Sequence, residues 1–370
     1  MARPNSAAKD LWQQVFKRSA ESPNAALQNP NGPTLEDTEK RFAEGLREAG
    51  WTEDEITGRI AVFRDFCQVP NLNSPNVAPG LEGWLCRISK RISQELSAAG
   101  NTSHETVETA IDPLPGVSAS LTNVIMTDEA ILTVRSFFFR WCGLVARAYT
   151  RTLMQDIAYW TGPLHSKDDD ILFLLRRPNL ARYWGQIFVS FAATGTHAAV
   201  PFQPSKKHEV FVAEQVAWSM EYFAVAHEYG HHVLNHRSAE ADSLKQEFEA
   251  DRFAIRICEK LPNEPVGTHN PYIATGAGAT LMLMTLDILR STENVIADRN
   301  TCGTHPSTEG RIRRIINRHA MQPDQLAYDL EFNHVVSRIA NAVGGFVSRF
   351  LDLGGKEFLR EINTAVDSHS

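Results

Sequence analysis

The sequence contains few cysteines and none of the usual cysteine pairs. Its five cysteines, Cys67, Cys86, Cys142, Cys258 and Cys302, are odd in number, lie far apart and form no C-x-x-C motif. Secreted disulfide scaffolds and thiolate zinc sites both need closely spaced or paired cysteines. We therefore expect reduced thiols, as in a cytoplasmic protein.

The chain also lacks an uninterrupted apolar run long enough to span a membrane, which takes about 20 residues. Its two most apolar stretches carry charge, since 137–145 contains Arg140 and 274–289 contains Asp287. The first 25 residues carry charges throughout and have no apolar core of signal-peptide length. These features predict two buried helices, no membrane span and no export.

An excess of positive charge is missing too. The chain has 37 Lys and Arg against 44 Asp and Glu, which gives a formal net charge of -7. Such a balance produces no global field that attracts phosphates, so we expect no nucleic-acid partner. One local group of arginines has helical spacing and is interpreted as the solvated face of a helix: Arg311, Arg313, Arg314 and Arg318.

Composition divides the chain into three regions. Residues 1–33 are rich in Asn, Pro, Ser and Ala and are predicted to form a flexible arm. Residues 34–120 have helical periodicity and form an N-terminal region of unknown role. Within it, 101–120 is interpreted as a polar linker because it contains three turn-forming Pro and Gly residues. Residues 121–370 form the last region.

Secondary structure in the last region is predicted from periodicity and caps. Thr127 and Asp128 can cap a long helix that runs toward Trp160. The segments ILFLLRR (171–177) and HEVFVAE (208–214) are predicted as short strands.

Two further helices are expected beyond these strands. Apolar residues at helical spacing predict a helix from about Gln215 to Asn235. After a polar turn, a second apolar stripe that includes Phe253 predicts another helix, which Pro262 ends.

The pentapeptide HEYGH matches H-E-x-x-H. His227 and His231 are four residues apart, so their side chains differ by only about 40° around a helix and can share one zinc ion. Glu228 lies about 100° away, where its carboxylate can reach a zinc-bound water as general base.

A peptidase zinc site needs a third protein ligand, and nearby histidines are poor candidates. The metzincin pattern would need Gly and His where the chain has Leu234 and Arg237. His236 is nine residues after the first ligand, about 180° around a continuous helix, and His232 is also off the metal face. We expect neither to bind the metal.

A carboxylate on the next helix is the remaining route. Glu247 and Asp251 are four residues apart and share a face, so one can bind zinc while the other accepts a hydrogen bond from a ligand histidine. Glu249 shares a face with Phe253 instead and is expected at the edge of the apolar stripe. Of the two glutamates, Glu247 is therefore the one expected to face the metal, and we expect Glu249→Gln to change zinc content little.

Three segments together resemble the gluzincin peptidases that include the HtpX-type heat-shock proteases and the CAAX prenyl endopeptidases: HEYGHHVLNH, EFEADRFA and THPSTEGRI. The resemblance covers about 209–318. It implies that Glu247 binds the metal, that Asp251 supports a ligand histidine, and that His305 faces the active site and helps stabilise the tetrahedral intermediate. The implied fold is mainly α, with a zincin-like core in 121–370 that contains an active-site helix, a third-ligand helix and possibly a small β-sheet.

The expected function is that of a zinc-dependent metalloendopeptidase with one Zn²⁺ per chain, acting on intracellular proteins or peptides. Members of the resembled family carry transmembrane helices, so their membrane substrates are not transferred to this chain. Two alternatives remain open. The chain could be a regulatory protease of one intracellular target in stress or phage defence, or a catalytically silent interaction protein that keeps the zincin fold.

Overall fold

The computed structural model describes residues 7–8, 11, 34–67, 80–102, 106–124, 127–198, 200, 206–236, 243–261, 269–298, 306–319 and 322–353. These residues are mainly helical, with one small β-sheet. The helices are α1 Leu35–Glu48, α2 Glu53–Cys67, α3 Leu81–Ala98, α4 Ser136–Gln155, α5 Ile157–Thr161, α6 Lys167–Leu175, α7 Pro178–Thr194, α8 Lys207–Val233, α9 Ser243–Cys258, α10 Pro271–Ala274, α11 Ala277–Ile296, α12 Thr308–Ile316 and α13 Pro323–Leu353.

Three strands form the sheet: β1 Val107–Asp112, β2 Ala119–Asn123 and β3 Ala130–Arg135. The order is β1-β3-β2, with β1 parallel and β2 antiparallel to β3. The segment 101–120, predicted to be a polar linker, therefore contains β1 and the start of β2. The helix predicted to begin at Thr127 begins at Ser136 instead, because AILTVR (130–135) forms β3. This stretch is rich in β-branched residues, is largely buried and pairs with both β1 and β2.

Both strands predicted from short apolar runs are helices. Of residues 171–177, the first five lie in α6, which ends at Leu175. Ser166 and Asp169 form a capping box at the start of this helix, and its buried residues follow a helical pattern. Residues 208–214 are the first turns of α8, which is longer than predicted. A short apolar run has the same composition in either structure, so the caps decide which one forms.

Buried apolar side chains from α3, α4, α6, α7, α8, α9, α11, α13 and the sheet form one core cluster. Within it, α8 packs mainly against α4, α9 and α11. Within α8, Glu221 is buried and accepts a hydrogen bond from Trp84 Nε1 of α3 at 2.6 Å. Burial raises the pKa of Glu221 to about 8.

The two apolar stretches that contain single charges lie in α4 and in α10–α11, and most of their side chains are buried. Among the described residues, no helix combines the length and the apolar character needed to cross a membrane.

Candidate metal site

Helix α8 places two histidines side by side. His227 and His231 are one turn apart, and their Nε2 atoms lie 3.1 Å from each other. His227 is only 8 % exposed. The helical spacing that brings these rings together was evident in the sequence.

Helix α9 brings a carboxylate to the same point. The oxygens of Glu247 lie 3.5 Å from His227 Nε2 and 3.6 Å from His231 Nε2. The two helices approach closely at Gly230, where a Cβ atom would lie 3.1 Å from Ala250 Cα. A larger residue at 230 would push α9, and with it the carboxylate, away from the histidines.

This donor set fits a metal ion. The three ligand atoms of His227, His231 and Glu247 lie within 4.8 Å of one another. Ligands at zinc bond lengths in a tetrahedral site are about 3.3 Å apart, close to the 3.1–3.6 Å separations found here. Two imidazoles and one carboxylate are also a donor set that occurs in catalytic zinc sites. These residues can therefore hold a metal ion.

Asp251 supports His227 from behind. Its Oδ1 lies 3.0 Å from His227 Nδ1, the nitrogen that faces away from the ligand cluster. The guanidinium of Arg311 clamps the same carboxylate through hydrogen bonds of 2.6 and 2.7 Å. The interpretation of Arg311 as part of a solvated face is wrong, because the residue is buried and pairs with Asp251.

The clamp explains the electrostatics of this side of the site. Burial alone would raise the pKa of Asp251, but the hydrogen bonds from Arg311 and His227 lower it below its ordinary value. Burial lowers the pKa of His227, but its bonds to Asp251 and Glu247 more than offset this and raise that pKa to about 9. A metal ion must therefore displace a proton from His227 when it binds.

His231 has different surroundings. Its Nδ1 lies 3.0 Å from Nδ1 of His236, whose Nε2 lies 3.2 Å from Glu249 Oε2. Burial and the neighbouring His227 lower the pKa of His231 to about 4. A neutral imidazole is the form that binds a metal.

The expectation that His236 faces away is wrong, because the chain turns back at the end of α8. Asn235 has a φ of 53°, and the N–H of His236 donates to the carbonyl of His231 at 2.9 Å. This arrangement is a helix C-cap in which the residue after the left-handed position returns to the last turn. Asn is a common residue at such a position, so Asn235 was the signal in the sequence.

Two other residues of the motif have separate positions. His232 is directed to the sheet, with Nδ1 3.2 Å from Asn123 Oδ1 and Nε2 3.4 Å from Thr106 Oγ1. Glu228 is half-buried beside the cluster, where its charge raises the pKa of His227. His305 lies outside the described residues.

Comparison with known proteins finds one family that matches part of the chain. Residues 193–331, from the end of α7 to the first turns of α13, match the family described as Peptidase U49. The matched segment contains the whole ligand cluster and Arg311 but less than half of the chain. No curated protein and no solved structure matches the sequence. The family match thus supports a peptidase.

Proposed function

We propose that the chain is a zinc-dependent metalloendopeptidase with one zinc ion held by His227, His231 and Glu247. The observation that carries this proposal is the convergence of two imidazole nitrogens and a carboxylate at metal-ligand spacing. That convergence lies inside the segment similar to a peptidase family. The gluzincin type rests on the third ligand being a glutamate from the following helix.

His227, His231 and Glu247 would hold the zinc ion, which would supply Lewis-acid activation of a water molecule and of a peptide carbonyl. Glu228 follows the first ligand and lies about 100° around α8 from it, beside the cluster. In the proposed mechanism its carboxylate accepts the proton of the attacking water and donates it to the leaving amine. Asp251 holds His227 in the tautomer whose Nε2 is free for the metal.

The proposed substrate is a polypeptide, as for peptidases generally. Intracellular proteins remain the expected source of substrates, and His305 remains the residue expected to stabilise the tetrahedral intermediate.

The test separates the base from the ligands. Glu228→Gln should keep one zinc ion per chain, measured by metal analysis of the purified protein, because no ligand is removed. Hydrolysis of unfolded protein should fall by orders of magnitude, because the proton acceptor is lost.

Glu309→Gln is a matched control, since this exposed glutamate of α12 pairs only with Arg313 among the described residues. It should retain both zinc and activity. A wild-type protein that binds no zinc, or a Glu228→Gln variant that still cleaves, would contradict the proposal.

A further inference from the structure

Three arginines lie along one face of α4. Arg140, Arg147 and Arg151 are seven and four residues apart, so their directions around the helix agree within about 40°. Arg151 has an acidic neighbour, Glu209 Oε2, at 3.8 Å. Arg140 and Arg147 have no carboxylate partner among the residues that the structure describes.

These two guanidiniums are unfavourably placed for isolated charges. Burial lowers the pKa of Arg140, and the charge of Arg147 lowers it further. Burial also lowers the pKa of Arg147, whose Nε donates to the carbonyl of Gly143 within the same helix. Arg140 nevertheless has a solvent-accessible side chain. Two partly desolvated positive charges, one of them on a solvent-accessible side chain, favour the binding of a negatively charged group.

Two hydrogen-bonding groups beside the arginines have no partner among the residues that the structure describes. Tyr183 of α7 is almost fully buried, its hydroxyl is one of these groups, and its ring lies 5.2 Å from the Arg151 guanidinium. The other is the buried Nδ1 of His197, whose ring packs against Phe137 with centroids 5.8 Å apart. Buried polar groups normally find a partner, so two orphans at one place point to a missing ligand.

The same neighbours keep His197 uncharged. Burial first, and then the charges of Arg140 and Arg147, lower the pKa of His197 to about 4. A neutral imidazole can donate or accept a hydrogen bond. The Tyr183 ring lies 5.2 Å from the Arg151 guanidinium, and Arg147 is one helical turn before Arg151, so Tyr183 lies on the side of α4 that carries the arginines.

We propose that Arg140, Arg147, Tyr183 and His197 bind a phosphate group. Guanidiniums match the oxygens of phosphate, and a charge near -2 balances two arginines where a single carboxylate would leave one unpaired. The tyrosine hydroxyl and the imidazole supply two further hydrogen bonds. This site is local and needs no positive net charge, and it does not depend on the metal site.

The phosphate group could be free inorganic phosphate or the phosphate of a nucleotide, and calorimetric titration with each probe distinguishes these sources. Inorganic phosphate should bind the wild-type protein more tightly than acetate at equal ionic strength. A nucleoside 5′-monophosphate that binds more tightly than inorganic phosphate identifies a phosphomonoester as the ligand, whereas the reverse order identifies free phosphate.

Arg140→Gln, Arg147→Gln and Tyr183→Phe should each weaken phosphate binding by about 10-fold or more, because each removes a hydrogen bond to a charged group. Arg182→Gln is the matched control, since this exposed arginine adjoins Tyr183 in α7 and should bind phosphate like the wild type.

Thermal unfolding distinguishes a binding role from a structural one. Without phosphate, Tyr183→Phe should melt at a higher temperature than the wild type, because an unpaired buried hydroxyl is removed. Arg147→Gln should melt no lower than the wild type, because the repulsion between the charges of Arg147 and Arg140 is removed. Equal phosphate affinity in all four variants, or wild-type phosphate binding no tighter than acetate, would overturn the proposal.

Discussion

His227 and His231 share one face of α8, yet their far nitrogens meet different surroundings. On the buried side, His227 is backed by Asp251 and Arg311, whose side chains are 5 and 10 % exposed. On the open side, His231 is backed by His236 and then by Glu249, which is 45 % exposed.

The difference shows that one donor set can be supported in two ways. A buried carboxylate held by an arginine fixes its histidine through a charged network that solvent cannot screen. A second imidazole backed by an exposed carboxylate fixes its histidine through weaker, solvent-screened contacts. We therefore expect perturbations of the buried side to cost more than those of the open side.

The largest effect should come from Arg311→Gln. This change leaves the Asp251 carboxylate buried without its main partner, which should lower the free energy of unfolding by about 3–5 kcal/mol. Urea denaturation of the metal-free protein measures it. Arg313→Gln is the control, because Arg313 forms an exposed pair with Glu309 and should change stability little. Equal free energies of unfolding for the two variants would show that the buried pair of Arg311 and Asp251 does not stabilise the fold.

Asp251→Asn should act on the metal more than on the fold. Asn keeps the size of the side chain but removes the charge that orients His227, so zinc affinity should fall by about 10- to 100-fold. Competition with a chelator of known affinity measures this value. Unchanged affinity would show that His227 needs no support from the buried side.

His236→Ala tests the open side and should have a smaller effect, of about 10-fold or less in zinc affinity. His231 loses the acceptor for its Nδ1 proton, but water can replace that acceptor. His232→Ala is the control, because the adjacent histidine contacts Asn123 and Thr106. If His236→Ala loses more zinc affinity than Asp251→Asn, the open side supports metal binding more strongly than the buried side, contrary to our expectation.

Sequence periodicity predicted the cluster because it depends on residues four apart within helices. His227 with His231, and Glu247 with Asp251, follow directly from helical geometry. The same periodicity wrongly predicts that Arg311 faces solvent, as arginines at helical spacing usually do. Its four-residue spacing from the buried Ile315 was the available signal.

Periodicity is insufficient where one residue or cap decides the structure. It places His236 on a continuous helix, whereas α8 ends at Val233 and the chain turns at Asn235. Residues 171–177 and 208–214 are apolar enough for a strand, and their helical structure depends on the neighbouring caps. The long-range pairing of β1 with β3 could not be derived from local patterns.

Zinc titration of Glu247→Gln beside Glu249→Gln tests the central claim most directly. The two glutamates lie two residues apart on α9, but only Glu247 approaches both histidine Nε2 atoms, whereas Glu249 contacts His236. The account predicts that Glu247→Gln loses most of its zinc affinity and all peptide hydrolysis, while Glu249→Gln stays within about threefold of the wild type in zinc affinity. Retention of zinc by Glu247→Gln together with its loss from Glu249→Gln would contradict the assigned metal site.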